Sequence, residues 1–398
     1  MINSGRVDAS AITIMGDAMK QNILETLKIC CQKTPWRRIL NFIPVYKPGK
    51  PIEEVKRELG LEKVIKLASN ENSLKPSPRV LDAIAEAAKD VNRYPDGTCF
   101  YLRKALSKKL SVSEDNIVFG NGSDEIILLA ARSFLASGEV VIADPTFLIY
   151  RLASIVAGAK CRLVPLKNYK YDLDGMRRAI NKNTKIVFIA NPDNPTGSYV
   201  TADELNKFLE SIPKDVLVFL DEAYYDYATG GDYPETIDLI KREDLNVIIT
   251  RTFSKSYGLA GLRIGYGLAK PAIAQVLNKV REPFSINSVA QAAAIAALEE
   301  EEYLKRSVSL VKEEMKRFYQ LFDSLGVKGM PSRANFILVD TGRDSMQVYE
   351  GLLKRGVIVR EMSLWGLDGF IRVNIGLPEE NEMFFKAFEE VIREVPEK

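Results

Sequence analysis

Short runs of apolar residues recur through the middle of the chain, and each is followed by polar or turn-forming residues. The runs lie at 117–119, 139–143, 161–166, 185–190, 216–220 and 246–250. Several are nearly continuous in Val, Ile, Leu and Phe, which is typical of parallel strands that are buried on both faces. Helical patterns separate the runs, and Thr201 and Glu204 have the spacing of a capping box that opens a helix at 202–210. This alternation predicts a three-layer α/β/α domain with a mainly parallel sheet.

The pattern changes after residue 285. A long helical stretch at 286–324 precedes three strand-like runs that glycine and proline residues separate, at 334–339, 357–360 and 370–375. These features predict a smaller α+β domain that part of the N-terminal segment completes. We therefore predict an N-terminal extension at 1–33 with no assigned role, an N-terminal arm and part of the small domain at 34–65, a large domain at 66–285 and a small domain at 286–398. The extension is compatible with a weakly amphipathic helix at 17–31 or with an appendage upstream of the true start.

Composition narrows the range of partners. The chain has 398 residues, of which 55 are basic and 53 acidic, so its formal charge of +2 argues against nucleic acid or an anionic membrane as a partner. No window approaches the roughly 18 consecutive apolar residues of a transmembrane helix. The four cysteines show no C-x-x-C spacing, which predicts reduced thiols and a cytoplasmic location.

The chain contains no histidine. This absence excludes Ser-His-Asp and Cys-His nucleophile systems as well as every metal site that uses imidazole, and we predict no metal site. Acid–base chemistry must therefore come from Lys, Tyr, Asp, Glu or Cys side chains.

Four polar motifs directly follow four of the predicted strands. They are GNGSDE at 120–125, NPDNPTG at 191–197, DEAYYDY at 221–227 and RTFSKS at 251–256. Each has a simpler explanation by itself: a turn, a helix start, a solvated strand end or a surface lysine. Together they lie where ligands bind in open α/β sheets, at the carboxyl ends of the strands. The glycines of GLAGLRIG do not have the G-x-G-x-x-G spacing, which excludes a dinucleotide site there.

The residue types in these motifs match the needs of pyridoxal phosphate, which requires a lysine Schiff base and a partner for its pyridinium nitrogen. Lys255 is the predicted nucleophile and, once released, the general base. Asp221 follows a buried strand and would keep the ring nitrogen protonated. Asn194 and Tyr224 would hydrogen-bond the ring hydroxyl oxygen. The predicted phosphate cradle combines a helix N-terminus with an arginine and consists of Ser123, Ser254 and Arg263, and Asp124 is a further predicted cofactor contact.

These motifs resemble those of fold-type I pyridoxal-phosphate-dependent transferases, and within them the histidinol-phosphate aminotransferase family. The resemblance extends from IPVYKPGKP at 43–51 to the C-terminus and includes KLASNEN, NRYPDG, DPTF, TFSKSYGLAGLRIGY and FIRVNIG. The SNEN, RYPDG and FIRVNIG segments are characteristic of the subfamily. Ser73 and Lys75 stand where relatives usually carry Pro and Gly, and Val45 replaces a usual proline.

The resemblance implies further site residues and an activity. Phe147 would stack on the cofactor ring, and Tyr94 would reach the cofactor phosphate of the neighbouring subunit in a homodimer. Tyr46 would approach the substrate, and Asn194 would line the same pocket. Arg360 and Arg372 would bind the anionic groups of the substrate. The implied reaction of histidine biosynthesis interconverts L-histidinol phosphate and 2-oxoglutarate with imidazole-acetol phosphate and L-glutamate.

Other functions remain compatible with these residues. An aromatic-amino-acid aminotransferase would use the same scaffold, and a phosphothreonine-type decarboxylase would use the same cofactor for a different reaction. A non-enzymatic regulator would need a DNA-binding domain, for which the roughly 40 N-terminal residues are too short. One sequence does not distinguish histidinol phosphate from aromatic amino acids as the preferred substrate.

Overall fold

The structure, a computed structural model, describes residue 40, residue 43 and residues 49–398. The predicted extension at 1–33, its helix at 17–31, and residues Val45 and Tyr46 lie outside the described residues.

A seven-stranded sheet is the centre of the larger part of the described chain. Its strands are β2 (Ile117–Gly120), β3 (Glu139–Asp144), β4 (Lys160–Pro165), β5 (Thr184–Ala190), β6 (Leu217–Asp221), β7 (Asn246–Thr252) and β8 (Gly265–Ala269). All six predicted strands of this region are confirmed, with boundaries that differ by one or two residues. The sheet order is β2-β8-β7-β6-β5-β3-β4.

The direction of the strands brings the four polar motifs to one edge. Strands β7, β6, β5, β3 and β4 are parallel neighbours, whereas β8 is antiparallel to both β7 and β2. Strand β2 therefore runs in the same direction as β7, although β8 lies between them. The sequence pattern did not predict β8, because its run Gly-Tyr-Gly-Leu-Ala has neither an alternating nor a continuous apolar pattern.

Helices cover both faces of this sheet. The helices of residues 49–398 are α1 (Ile52–Leu59), α2 (Pro78–Ala87), α3 (Phe100–Leu110), α4 (Ser123–Phe134), α5 (Leu148–Ala157), α6 (Leu173–Ala179), α7 (Ala202–Ser211), α8 (Tyr225–Ala228), α9 (Pro271–Val280), α10 (Ser288–Leu298), α11 (Glu301–Ser324), α12 (Ser345–Lys354) and α13 (Pro378–Glu394). The helix predicted at 286–324 is two helices, because the chain is not helical at 299–300.

The two faces of the sheet explain why its strands are continuously apolar. Ile117 and Phe119 pack into the core under α2, α3, α7 and α10, whereas Val118 packs into the core under α4, α5 and α9. Successive residues of a strand point to opposite faces, so a strand covered on both sides needs apolar residues at every position. The predicted three-layer α/β fold is confirmed.

A second, smaller group of sheets follows toward the C-terminus. Strands β12 (Arg360–Glu361), β13 (Phe370–Asn374), β10 (Phe336–Asp340) and β9 (Lys328–Gly329) form an antiparallel sheet in that order. Strand β1 (Ile65–Lys66) pairs in parallel with β11 (Val357–Ile358). Residues from α11, α12 and α13 pack with both sheets in one core. The chain before residue 67 thus contributes a strand to this group. The division at 66–285 and 286–398 stays a prediction.

The capping box predicted at Thr201 is confirmed. The Thr201 hydroxyl accepts a hydrogen bond from the Glu204 amide at 3.3 Å, and the Glu204 carboxylate accepts one from the Thr201 amide at 2.8 Å.

No helix in the described part of the chain is long and apolar enough to cross a membrane.

Candidate active site

The loops that follow β5, β6 and β7 begin side by side. Ala190, Asp221 and Thr250 are aligned across these three strands. The segments that come next contain Asn194, Tyr224 and Lys255. The sheet thus positions three of the four predicted motifs on adjacent strand ends, and the fourth follows β2 at the same edge.

Asp221 is a buried carboxylate without a cationic partner. Its side chain is 4% exposed, and it accepts hydrogen bonds from the Tyr150 hydroxyl at 2.6 Å and from the Ala223 amide at 3.1 Å. Burial, the largest effect, raises the pKa of Asp221 to about 6. Among residues 49–398, no lysine or arginine forms an ion pair with it. A buried negative charge on Asp221 would be stabilised by a nearby cationic group, and the described residues do not supply one.

Lys255 lies in a tight loop after β7. The amide of Leu259 bonds back to the Phe253 carbonyl at 2.9 Å, and the Phe253 amide bonds to the Ile264 carbonyl at 3.1 Å. This closure directs the lysine away from solvent, and its Nζ donates to the Ser69 carbonyl at 3.4 Å. Burial and then the charge of Arg372 lower the pKa of Lys255 to about 8. A lysine in this range has an accessible neutral form near neutral pH, as a nucleophile or base requires.

Tyr224 and Asn194 form a hydrogen-bonded group with Arg372. The Asn194 oxygen accepts a hydrogen bond from the Arg372 guanidinium, and the Asn194 amide nitrogen donates to the Tyr224 hydroxyl at 3.3 Å. The Tyr224 ring centroid is 5.7 Å from Lys255 Nζ. Burial raises the pKa of Tyr224 to about 12, so its hydroxyl keeps its proton at neutral pH. The structure thus brings these four predicted residues together.

At the predicted phosphate cradle, the start of α4 lies close to the segments that contain Ser254 and Arg263. The Arg263 guanidinium donates to the Ser254 hydroxyl and to the Asp124 carboxylate, each at 3.4 Å. Gly122 has φ 79°, and a Cβ there would lie 2.6 Å from Arg263 Nη2. A Cβ at Gly265 would lie 2.7 Å from the Ser123 amide nitrogen, at the start of α4. Both glycines therefore leave space for an N–H group and a guanidinium to face one small anion.

Arg360 and Arg372 are neighbours on adjacent strands. They are partners across β12 and β13, and their side chains are 8% and 6% exposed. The Arg360 guanidinium lies 5.0 Å from the centroid of the Trp365 ring, and that of Arg372 lies 5.2 Å from the centroid of the Phe336 ring. Cross-strand partners point to the same face of a sheet, and guanidinium groups are well suited to binding carboxylates and phosphates.

Phe147 and Tyr94 occupy different environments. Phe147 directly precedes α5 and packs edge-on against Tyr150, with ring centroids 5.5 Å apart. It therefore touches the residue that holds Asp221. Tyr94 is 83% exposed and stacks on Phe284 at 4.8 Å. Among residues 49–398, its ring stacks on Phe284 rather than on an aromatic side chain of the predicted site. Tyr46 lies outside the described residues.

Several residues that the sequence reasoning missed hold the predicted ones in place. Tyr150 and Thr250 both donate to Asp221. Asp193 accepts from Thr146 at 2.6 Å and from Thr196 at 2.8 Å, so it joins the loop before Phe147 to the loop of Asn194. No local pattern marks the pairs that Asp221 forms with Tyr150 and Thr250 or the pair of Asp193 with Thr146, because their partners lie on different elements of the chain. For Asp193, its place inside the NPDNPTG motif was the only available indication.

Glu222 and Arg251 form a buried ion pair directly behind the site. The Arg251 Nε donates to Glu222 at 2.8 Å, and their side chains are 8% and 1% exposed. Thr236 also donates to Glu222 at 2.6 Å, and the Arg251 guanidinium lies 3.3 Å from the centroid of the Tyr225 ring. Glu222 is thus neutralised within the protein, whereas its neighbour Asp221 is not. The motif DEAY thus contains one carboxylate in an ion pair and one that has no ion-pair partner among the described residues.

Ser73 and Lys75 are in the loop between β1 and α2. They line a surface cavity of about 890 Å³ together with Tyr303 and Arg306. The Tyr303 hydroxyl donates to the Leu74 carbonyl at 3.0 Å, which fixes this loop against α11.

Comparison with known proteins agrees with this geometry. Residues 62–388 match the family described as aminotransferase class I and II. The chain is 49% identical over 357 residues to the histidinol-phosphate aminotransferase of Moorella thermoacetica, which covers 89% of this chain and 92% of that protein. It is 45% identical over 356 residues to the histidinol-phosphate aminotransferase of a Geobacillus species, covering 89% and 97% of the two chains.

A solved structure is similar as well. The crystal structure of histidinol-phosphate aminotransferase from Sinorhizobium meliloti, in complex with pyridoxal-5'-phosphate, has a TM-score of 0.83 and 31% sequence identity. The similarity covers 92% of this chain and 99% of that chain. The fold, the lysine and the carboxylate at the carboxyl edge of the sheet, together with these relatives, define a group-transfer enzyme of the α/β class. The chain belongs to the aminotransferase class I and II family.

Proposed function

We propose that the protein is a pyridoxal-phosphate-dependent aminotransferase. Its reaction interconverts L-histidinol phosphate and 2-oxoglutarate with imidazole-acetol phosphate and L-glutamate, a step of histidine biosynthesis. The relatives named above support the substrate pair, and their similarity covers nearly their whole length. The observation that carries the cofactor assignment is Asp221, which is buried and has no cationic partner among the described residues.

The residues present fit pyridoxal phosphate on two counts. A protonated pyridine nitrogen would supply the positive charge that Asp221 lacks, and ionisation of this carboxyl would become favourable. The space bounded by Ser123, Ser254 and Arg263 would hold the phosphate, since Gly122 and Gly265 leave no Cβ in it. Phe147 would cover one face of the ring.

When bound, pyridoxal phosphate supplies an electron-withdrawing ring that accepts the electron pair left at the substrate carbon. Lys255 would hold the cofactor before the substrate enters. Its Nζ would then remove the proton from the substrate carbon that carries the amino group. The lowered pKa of Lys255, about 8, suits both tasks, because the neutral amine is accessible near neutral pH.

The two arginines support a substrate with a phosphate group. L-Histidinol phosphate has no α-carboxylate, and its phosphate ester occupies the corresponding place, whereas glutamate carries the carboxylate. One site must therefore accept a dianion in one half-reaction and a carboxylate in the other. Arg360 and Arg372 are cross-strand partners, and each guanidinium can bind either anion with two hydrogen bonds. Asn194 lies beside them through its contact with Arg372.

We propose that the active form is a cytoplasmic homodimer in which Tyr94 reaches the cofactor phosphate of the partner. Tyr94 and Phe284 form an exposed aromatic pair, and Tyr101 is 75% exposed nearby in the sequence. Exposed aromatic groups of this kind are typical of protein interfaces. Cys99 and Cys161 are free thiols, which agrees with a reducing compartment.

Reductive trapping tests the assignment of Lys255. Purified protein should be yellow, and borohydride should fix the cofactor to Lys255, as peptide mass spectrometry would show. Lys255→Ala should retain cofactor binding and lose transamination by at least about 10²-fold, because a positioned base is removed. Lys185→Ala, in the same sheet but on the exposed first part of β5, serves as the matched control and should be fully active. Attachment to another lysine would refute the assignment.

A further inference from the structure

Three consecutive residues after β1 contact three of the predicted site side chains. The Ala68 carbonyl accepts from Arg372 Nη2 at 3.0 Å, and the Ser69 carbonyl accepts from Lys255 Nζ at 3.4 Å. The side-chain nitrogen Nδ2 of Asn70 donates to the Tyr224 hydroxyl at 2.8 Å. The segment 68–70 therefore contacts strand β13 and the loops after β6 and β7. It lies within the KLASNEN motif, but no role was expected for its residues.

Asn70 is the residue of this segment whose backbone is held by buried hydrogen bonds. It is 2% exposed and has φ 55°, a left-handed conformation that asparagine tolerates better than most residues. The backbone N–H of Asn70 donates to Asn374 Oδ1 at 3.2 Å, and its backbone carbonyl accepts from Asn335 Nδ2 at 3.1 Å. Both partners lie at the ends of β13 and β10. The Asn70 side chain is thus held in a defined direction by a rigid backbone.

The donors around Tyr224 determine where its proton points. An arginine can only donate, so Arg372 fixes the Asn194 oxygen toward itself and the Asn194 NH₂ toward Tyr224. The Tyr224 oxygen accepts from Asn194 Nδ2 and also from Asn70 Nδ2, which uses the two acceptor positions of a hydroxyl. Within the described part of the chain, no group accepts the Tyr224 proton. That proton is left for a ligand.

We propose that Asn70 is a positioning residue that, together with Asn194, turns the Tyr224 proton toward the oxygen of the bound cofactor ring. The inference rests on the proposed function, because the acceptor is the cofactor hydroxyl oxygen. A hydroxyl group held by two donors cannot rotate its proton into the protein, so the hydrogen bond to the ring is formed without reorganisation. Such preorganisation strengthens a hydrogen bond in a site that excludes water.

A glycine substitution separates this role from a backbone role. Asn70→Gly keeps the left-handed conformation accessible and removes only the amide group. We expect the pH midpoint of the cofactor absorption change in the holoenzyme to rise by about 0.5 to 1 unit, the equivalent of one weakened hydrogen bond to the ring oxygen. The matched control is Ser111→Gly, an exposed residue that also has φ 55°, and its midpoint should equal that of the wild type.

A double-mutant cycle then shows whether Asn70 acts through Tyr224. In a Tyr224→Phe background, Asn70→Gly should produce no further shift of the midpoint, because the hydroxyl group that it positions is gone. The same shift in both backgrounds, or no shift in either, would overturn the inference. Apoenzyme titration with pyridoxal phosphate gives an independent readout, and the dissociation constant should rise several-fold for Asn70→Gly.

Failure of this inference is distinguishable from failure of the proposed function. A wild-type protein that binds no pyridoxal phosphate would overturn both. A wild-type protein that is yellow and transaminates, with unchanged midpoints in the Asn70 variant, would overturn only the role of Asn70. Thermal unfolding of the cofactor-free variants, compared with Ser111→Gly, verifies that each chain is folded.

Discussion

At the scale of single residues, Asp193 links the loops that carry two predicted cofactor contacts. It is fully buried and accepts hydrogen bonds from Thr146, Thr196 and Tyr171, at 2.6, 2.8 and 3.2 Å. Burial is the largest influence on this carboxyl and raises its pKa to about 6, against the opposing effect of these hydrogen bonds. Asp193 therefore combines a positioning role with a cost in stability at neutral pH.

The raised pKa of Asp193 has a predictable sign. The folded protein binds this proton more tightly than the unfolded chain, whose aspartate titrates near pH 4. The free energy of unfolding of the cofactor-free protein therefore falls as pH rises from about 4 to about 6, and the loss is complete above that range. Asp193→Asn removes the titrating carboxyl. Between pH 4 and pH 6, the free energy of unfolding of this variant should therefore fall less than that of the wild type, by on the order of 2 kcal/mol.

Urea unfolding at several pH values measures this difference. Asp215→Asn, an exposed aspartate in the turn before β6, is the matched control and should retain the wild-type dependence. An identical pH dependence for Asp193→Asn and wild type would contradict the assignment of this buried titration.

Substitutions of Arg360 and Arg372 should affect the two half-reactions differently. Arg372 bonds to Asn194 and to the Ala68 carbonyl, whereas Arg360 stacks on Trp365. We expect Arg372→Ala to impair both half-reactions and Arg360→Ala to impair reaction with histidinol phosphate more than with glutamate. Truncating one partner of a buried charged hydrogen bond costs about 2–5 kcal/mol, which is a loss of tens-fold or more. Single-turnover rates with each amino donor measure both effects.

A buried arginine outside the site controls for general damage. Arg343 is 9% exposed and bonds to the Val395 carbonyl at 2.9 Å. Arg343→Ala should lower stability and leave the ratio of the two half-reaction rates unchanged. Equal losses on both donors for Arg360→Ala would remove the reason for assigning it to the phosphate.

At the scale of elements, periodicity predicted the strands whose two faces are both buried. Strands β5, β6 and β7 are continuously apolar because helices cover the sheet on each side. Strand β8 was missed because glycines occupy two of its five positions, and β1 and β9 were missed because two residues carry no period. The proximity of Asn194, Tyr224 and Lys255 was predictable because each lies in a motif at the end of a strand, whereas their roles stay predictions. The contacts of Tyr150, and those of Asn70 inside KLASNEN, were not predictable, since these residues meet Asp221 and Tyr224 across 71 and 154 positions of the chain.

The capping box of α7 gives a prediction at this scale. Thr201→Ala removes the acceptor for the Glu204 amide and should destabilise the protein by about 1 kcal/mol, which lowers the thermal midpoint by roughly 1–3 °C. Thr201→Ser keeps the hydroxyl oxygen and should restore most of the loss. Calorimetry measures the midpoints, and kcat should be unchanged in both variants. A wild-type midpoint for Thr201→Ala would show that this cap is not stabilising.

At the scale of the whole molecule, the position of Tyr94 argues for a shared site. Its ring is 83% exposed and lies on a loop whose aromatic partner, Phe284, is itself 46% exposed. A twofold dimer would bury both rings and complete two equivalent sites. Mixing inactive Lys255→Ala chains with inactive Tyr94→Ala chains should then regenerate activity, because each heterodimer contains one site with both residues intact.

Tyr101→Ala provides the control for this mixing experiment. Tyr101 is exposed in the same region and has no assigned role in the cofactor site. Its chains should be active before mixing if they still dimerise. A fully active monomer in sedimentation analysis would contradict the shared site, and so would the absence of any recovered activity in verified heterodimers.

Specificity constants on a single preparation test the proposed activity most directly. L-Histidinol phosphate, phenylalanine, tyrosine and phosphothreonine would be compared with 2-oxoglutarate as the amino acceptor, with carbon dioxide release followed in parallel. We expect kcat/KM for histidinol phosphate to exceed that for phenylalanine and tyrosine tens-fold or more, because only its phosphate satisfies both Arg360 and Arg372. Comparable constants for the aromatic amino acids would contradict the assignment to histidinol phosphate. Carbon dioxide release from phosphothreonine that outpaces amino transfer would contradict transamination itself.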